Sequence, residues 1–280
     1  MKYRHAHHAG NFADVHKHVT LLALLAALQR KEKGLLYLET HAGRGVYDLG
    51  ESAAESRAGI ARLEAVACEA PELRHYLDRV AQLRRAGGSK HLYPGSPWLA
   101  ASALRAQDRG VLVEALAEEA RALERALGPV AGRVRIETGD GFARLRAELP
   151  PVERRALILI DPPYEQTRED FERVRIGLAE ALRRFATGVV AIWYPIKHAR
   201  DTDRWLEAVA RELDREALVS QLWLHPCDSR VALNGSGLLI VNPPYQLDER
   251  MSQWLPELYR CLRGTAQGGC TVQPLTPARA

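Results

Sequence analysis

Asp161, Pro162, Pro163 and Tyr164 follow directly on the apolar run Ala156-Leu157-Ile158-Leu159-Ile160. A run of that length and composition reads as a strand buried on both faces. An acid at its exit can accept a hydrogen bond from an exocyclic amine on a flat ring. Two prolines lack an N–H and have a fixed φ, so they hold a stiff turn whose carbonyls, that of Pro162 first, can point outward. Tyr164 offers a ring on which a base can stack. The bland alternative is an ordinary strand-ending turn. A second copy, Asn242-Pro243-Pro244-Tyr245, follows Leu238–Val241 and competes for the same role.

Three further loops carry usable groups. Glu39-Thr40-His41-Ala42-Gly43-Arg44-Gly45 has small residues that let backbone approach a ligand, though it also reads as a tight turn. Its G-x-G falls short of G-x-G-x-x-G, which argues against a dinucleotide pyrophosphate site. Glu114 ends Val111-Leu112-Val113, where an acid can accept both hydroxyls of a ribose or simply start a helix. Asp140, in Gly139-Asp140-Gly141-Phe142, can accept from an adenine amine, with Gly141 allowing close approach. A bare Asp-Gly is also a common turn.

The elements that must position these groups read as alternating strands and helices. Strands are expected at Leu35–Glu39, Val111–Ala115, Val134–Glu137, Ala156–Ile160, Val189–Tyr194, Leu218–Leu224 and Leu238–Val241. Helices are expected at Ala117–Leu127, Phe171–Phe185 and Trp205–Asp214. This alternation predicts a mostly parallel sheet covered on both faces. The link from Asp228 to Ser236 is too short for a crossover helix, so the last two strands should be antiparallel. The small-residue loop, Glu114, Asp140 and Asp161 then fall on one sheet edge, where open α/β sheets bind ligands. Asn242 ends the antiparallel strand and should emerge at the opposite edge. Ser56–Cys68, Pro71–Arg85 and Pro97–Gln107 are helical in pattern, with Gly87-Gly88-Ser89 as a breaker. A helical insertion at 51–93 on a core made of 1–50 and 94–280 accounts for this spacing. The tail after Gly264 is expected to be loosely held.

Composition narrows the class. The chain has 280 residues, 46% hydrophobic and 26% charged, with a net charge of +4. That describes a globular protein with a mild basic excess, compatible with a nucleic-acid partner. The longest mostly apolar stretch, Val19 to Leu28, is too short to span a bilayer. Cys68, Cys227, Cys261 and Cys270 stand at no metal-ligand spacing, which fits free thiols in a reducing cytoplasm. Half of the ten histidines lie between His5 and His18. No Cys or Glu accompanies them, so no metal is expected. Tyr3, Arg4 and Lys17 in this segment can contact phosphates and bases, unless it is only a solvated end.

Together these motifs resemble a known family. They are Y-R-H-x-x-H-A-G-N-x-A-D-V-x-K-H at the start, L-x-T-H-A-G-x-G, Y-P-G-S-P at 93–97, D-G-F at 140–142 and L-I-L-I-D-P-P-Y at 157–164. The combination is similar to the RlmJ family, which methylates N6 of one adenine in 23S ribosomal RNA. The resemblance runs through F-A-T-G at 185–188 and W-Y-P at 193–195, covering nearly the whole chain. It implies the class I S-adenosylmethionine (AdoMet) methyltransferase fold, Rossmann-like with an antiparallel last strand. It implies AdoMet contacts at His18, His41, Ser96, Glu114, Asp140, Gly141 and Asp161. Catalysis falls to Asp161, Pro162 and Tyr164, and RNA-side roles fall to Tyr3, Arg4 and Lys17. A monomer acting on 23S ribosomal RNA in the cytoplasm is the expectation. Two departures from the family pattern are Glu39, there an Asp and expected to matter little, and His16, at a position often apolar. A DNA adenine methyltransferase would share the catalytic apparatus, and a non-catalytic RNA-binding protein would need the basic surface but not Asp161.

Overall fold

The computed structural model describes residues 9–50, 55–128, 132, 134–165, 167–226, 229, 231, 233–263 and 267–276. An eight-stranded sheet runs through its centre in the order β10-β8-β9-β7-β6-β1-β4-β5. Five strands are parallel: β1 (Leu36–Glu39), β4 (Arg109–Glu114), β5 (Val134–Thr138), β6 (Ala156–Ile160) and β7 (Val189–Ile196). β8 (Ala217–Trp223) and β9 (Gly235–Val241) pair antiparallel with one another, and β9 lies antiparallel to β7. This is the strand order of class I methyltransferases with one strand added at the edge. That added strand, β10 (Gly269–Pro274), corrects the expectation of a loose tail. Its backbone satisfies the open edge of β8, a tertiary gain that composition does not announce.

Helices cover both faces. α1 (Phe12–Gln29), α3 (Pro71–Gly87), α4 (Ser96–Ala103), α5 (Ala117–Leu127) and α9 (Leu247–Leu262) contribute to one apolar cluster. α6 (Gly141–Glu148), α7 (Thr167–Arg184) and α8 (Ala199–Glu212) contribute to the other. α1 is buried without a break from Phe12 to Leu22, an almost all-round burial that fits its weak polar face. Asn11 caps it, accepting from the N–H groups of Ala13 at 2.9 Å and Asp14 at 3.0 Å.

A two-stranded ribbon not anticipated from sequence, β2 (Val46–Asp48) with β3 (Leu92–Pro94), brackets the additional helices α2 (Ile60–Glu64) and α3. α3 begins with a proline where no N–H is needed and ends at Gly88, whose φ is +66°. It buries Leu73, Tyr76, Val80 and Leu83 in the same cluster as α1 and α9, so these helices have no separate core. The segment also clasps the start of α1. Ile60 N–H donates to the Gly10 carbonyl at 2.9 Å, and a Cβ on Gly59 would lie 2.0 Å from that oxygen. Among the described residues no helix is long and apolar enough to cross a membrane. Cys68, Cys261 and Cys270 are free thiols.

Candidate active site

Asp161 leaves the sheet at the C-terminal end of β6, between β1 and β7. Its Oδ2 accepts from Lys17 Nζ at 2.6 Å, and the same ammonium lies 3.0 Å from Asp14 Oδ1. The Lys17 and Asp14 side chains are each 5% exposed and that of Asp161 12%. Burial alone would lower the Lys17 pKa. The two carboxylates outweigh it and push the value well above the usual lysine range. Asp14 is held in turn, its Oδ2 accepting the Gly10 N–H at 3.0 Å. Among the described residues Lys17 is the hydrogen-bond partner of Asp161, and it bonds Oδ2. Lys17, expected on the RNA side, is instead buried against the Asp161 carboxylate. Tyr3 and Arg4 lie outside the described residues.

The neighbouring strand ends carry the candidate cofactor groups. Gly43 and Gly45 adopt φ of +66° and +80°, a left-handed backbone that disfavours side chains. The Gly43 N–H donates to Glu114 Oε2 at 2.7 Å, and the Leu116 N–H donates to Oε1 at 2.8 Å. Glu114 is thus both a helix-start acid and the anchor of the glycine loop. Each carboxylate oxygen keeps a lone pair for a ribose hydroxyl. Asp140 caps α6, its Oδ1 accepting from Phe142 N–H at 2.8 Å, while its side chain remains more than half exposed. A Cβ on Gly141 would lie 1.9 Å from the Thr40 carbonyl, so the backbone just after β1 requires a glycine there. His41 stands edge-on to Phe142 at 5.1 Å, and burial pushes its pKa down to about 4. We expect Glu114→Ala to weaken AdoMet binding by about 1–3 kcal/mol, the scale of losing hydrogen bonds to a charged group. Calorimetric titration checks this, and unchanged affinity would leave Glu114 a helix-start acid only.

Tyr164 also needs correction. It is 2% exposed, with φ at +50°, and its hydroxyl donates to the Trp193 carbonyl at 2.7 Å. Phe171 lies 4.9 Å from its ring. It is a packed wall residue and not an open stacking surface. Pro162 is buried and Pro163 exposed. Asn242 lies at the other sheet edge, where its amide donates to the carbonyls of Ala186 at 3.0 Å and Gly188 at 2.8 Å. The second P-P-Y segment therefore ties down the turn before β7.

A family profile described as "Ribosomal RNA large subunit methyltransferase D, RlmJ" matches residues 32–276. The chain belongs to the RlmJ family. It is 40% identical over 281 residues to "Ribosomal RNA large subunit methyltransferase J" of Escherichia coli K12, covering 99% of both chains. It is 36% identical over 281 residues, again 99% of both, to the protein of the same name from Haemophilus influenzae. A crystal structure of a Legionella pneumophila protein superposes with a TM-score of 0.85 at 35% identity, covering 95% of this chain and 98% of that one.

Glu39 and His16, singled out in the sequence, acquire a physical meaning. Glu39 matters more than expected. It is fully buried at the end of β1, and its carboxyl accepts from Ser96 Oγ at 2.5 Å and Tyr37 hydroxyl at 2.8 Å. Burial pushes its pKa up to about 8, against the pull of those two donors. The Ser96 hydroxyl proton is thus directed at Glu39. His18, 1% exposed, bonds the Tyr93 hydroxyl through Nδ1 at 3.0 Å. Ser96 and His18 line the interior behind the site. An acid whose pKa is raised on folding favours the fold at low pH. That contribution is complete below its ordinary value of 4.5 and is lost as pH rises toward 8. Glu39→Gln stays neutral throughout, so its stability relative to the parent should rise by about 4 kcal/mol between pH 5 and 9. Denaturant melts at both pH values measure this, and a pH-independent gap would contradict it.

His16 is likewise buried, at 0% exposure. Its Nδ1 lies 3.0 Å from Ser236 Oγ and its Nε2 2.9 Å from Ser220 Oγ. Burial pushes its pKa down to about 3, so the ring is neutral. The two serines supply the partners that a buried histidine needs.

Proposed function

We propose that this chain transfers a methyl group from AdoMet to N6 of an adenine in large-subunit, 23S ribosomal RNA. The observation that carries the reading is the Lys17–Asp161 pair beside Glu114 and the left-handed glycine loop on one sheet edge. The names of the Escherichia coli and Haemophilus influenzae relatives support ribosomal RNA over DNA as substrate. Residues 51–93 form an inserted arm on the core in this reading, and the enzyme works as a cytoplasmic monomer with Tyr3 and Arg4 on the RNA side.

Glu114, the Gly43–Gly45 loop, His41 and Asp140 fit AdoMet: an acid with free lone pairs, an open backbone turn and an exposed acid at a helix start. His18, Ser96 and Gly141 would support them from behind, and Asp161 would border the transferred methyl. When bound, AdoMet supplies a sulfonium methyl that is electrophilic toward an amine. The chain's own groups must make that amine nucleophilic, because the N6 lone pair of adenine is delocalised into the ring. Hydrogen bonds from N6 to Asp161 Oδ1 and the Pro162 carbonyl favour a pyramidal nitrogen. Asp161 is the proton acceptor. When it takes the proton, Lys17 keeps Asp14 as counter-ion, so no buried charge is stranded. Fixed geometry supplies much of the rate. The base must leave its stack to reach this edge.

The test is mapping of labelled methyl groups after incubation with AdoMet and unmodified large-subunit ribosomal RNA. The reading predicts label on N6 of one adenine. Label on another atom, or equal transfer to DNA of the same sequence, would overturn it.

A further inference from the structure

With Tyr164 packed away, the face that holds the acceptor base must come from another side chain, and Trp193 is placed for it. Ile160 and Ile192 are register partners in the parallel pair β6–β7, so Asp161 and Trp193 are the next residues on adjacent strands. Residues in register point to the same side of a sheet, with strands about 4.8 Å apart. Lys17 Nζ lies 5.7 Å from the Trp193 ring centroid and 2.6 Å from Asp161 Oδ2, which places ring and carboxylate at one locus. Tyr164 meets the indole edge-on at 5.8 Å, as a backing wall. Trp193 itself is half-buried, unlike the fully covered Tyr194 beside it.

The indole is also held in place by polar contacts. Its Nε1–H donates to Ser236 Oγ at 2.9 Å, and that hydroxyl is bonded to His16, which reaches Ser220 on its far side. A tryptophan serving only as filler would not need a buried neutral histidine behind its hydrogen-bond partner. A ring that must meet a flat ligand at fixed orientation does.

We propose that Trp193 is the stacking surface for the acceptor adenine, presenting N6 to Asp161, and that Ser236 and His16 are positioning residues that set the angle of the indole. The inference rests on the adenine reading above. Purine–aromatic stacking tolerates replacement by another aromatic ring but not by an aliphatic side chain.

Trp193→Phe should keep methyl transfer to unmodified ribosomal RNA within about fivefold, whereas Trp193→Leu should lower kcat/KM about 30- to 100-fold, on the stacking scale. AdoMet affinity should stay within about twofold in both. Ser236→Ala, which frees the indole but keeps its ring, should fall between them. Trp193→Leu within about threefold of the parent, or a parallel loss of AdoMet affinity, overturns the proposal. Should Trp193→Leu fail to fold, fluorescence decides with adenosine 5′-monophosphate as probe. The parent should lose emission on titration and Trp193→Phe should not, while equal quenching in both overturns the proposal. If the parent quenches in this way yet transfers no methyl to ribosomal RNA, the functional reading fails and the stacking surface stands.

Discussion

Asp161→Ala should lower methyl transfer by about 10³-fold or more, since it removes both the acceptor of the N6 proton and the group that orients the amine. The fold should survive, because Lys17 retains Asp14 at 3.0 Å. Asn242→Ala is the matched control at the second P-P-Y. It leaves the carbonyls of Ala186 and Gly188 without their side-chain donor and should cost about 1–2 kcal/mol of stability, with the rate kept within about twofold. Single-turnover transfer and denaturant unfolding on the two variants separate the effects. Loss of activity in Asn242→Ala with a silent Asp161→Ala would move the active site to the other sheet edge.

Lys17→Met should be the most destabilising single change near the site. It leaves the carboxylates of Asp14 and Asp161 facing one another in a buried space without their shared cation. Breaking a buried pair from one side costs about 3–5 kcal/mol. Activity should drop at least about 10²-fold, because Asp161 loses the partner at 2.6 Å that fixes the position of its carboxylate. Adding Asp14→Asn to Lys17→Met should restore part of the stability and little of the activity. A Lys17→Met enzyme with the parent's rate and midpoint would show the ammonium to be a bystander.

Strand β6 was legible at its observed boundaries because five apolar residues in a row leave little choice, and helix Ala117–Leu127 because its apolar spacing and acidic first turn agree. The position of Asn242 followed from topology alone. A linker too short to cross over forces β9 to run backward. What could not be read was made by distant pairing. β10 is a half-exposed edge strand ending in proline, and the three-residue strands β2 and β3 exist only because they meet 46 to 94. The Lys17–Asp161 contact joins residues 144 apart. Nothing local in either segment announces it. The burial of Tyr164 escaped for the same reason, since Phe171 and Trp193 close over it from other elements.

The placement of α1 makes the order of synthesis consequential. This helix is made before the strands it packs on, since His16 meets Ser236, 220 residues later, and its apolar surface is covered in part by α9. At roughly 5–20 residues per second a nascent chain spends many seconds with Lys17 made but not yet locked beneath Asp161. Contacts of such long sequence separation close late and slowly. Catalytic competence is therefore a property of the finished polypeptide.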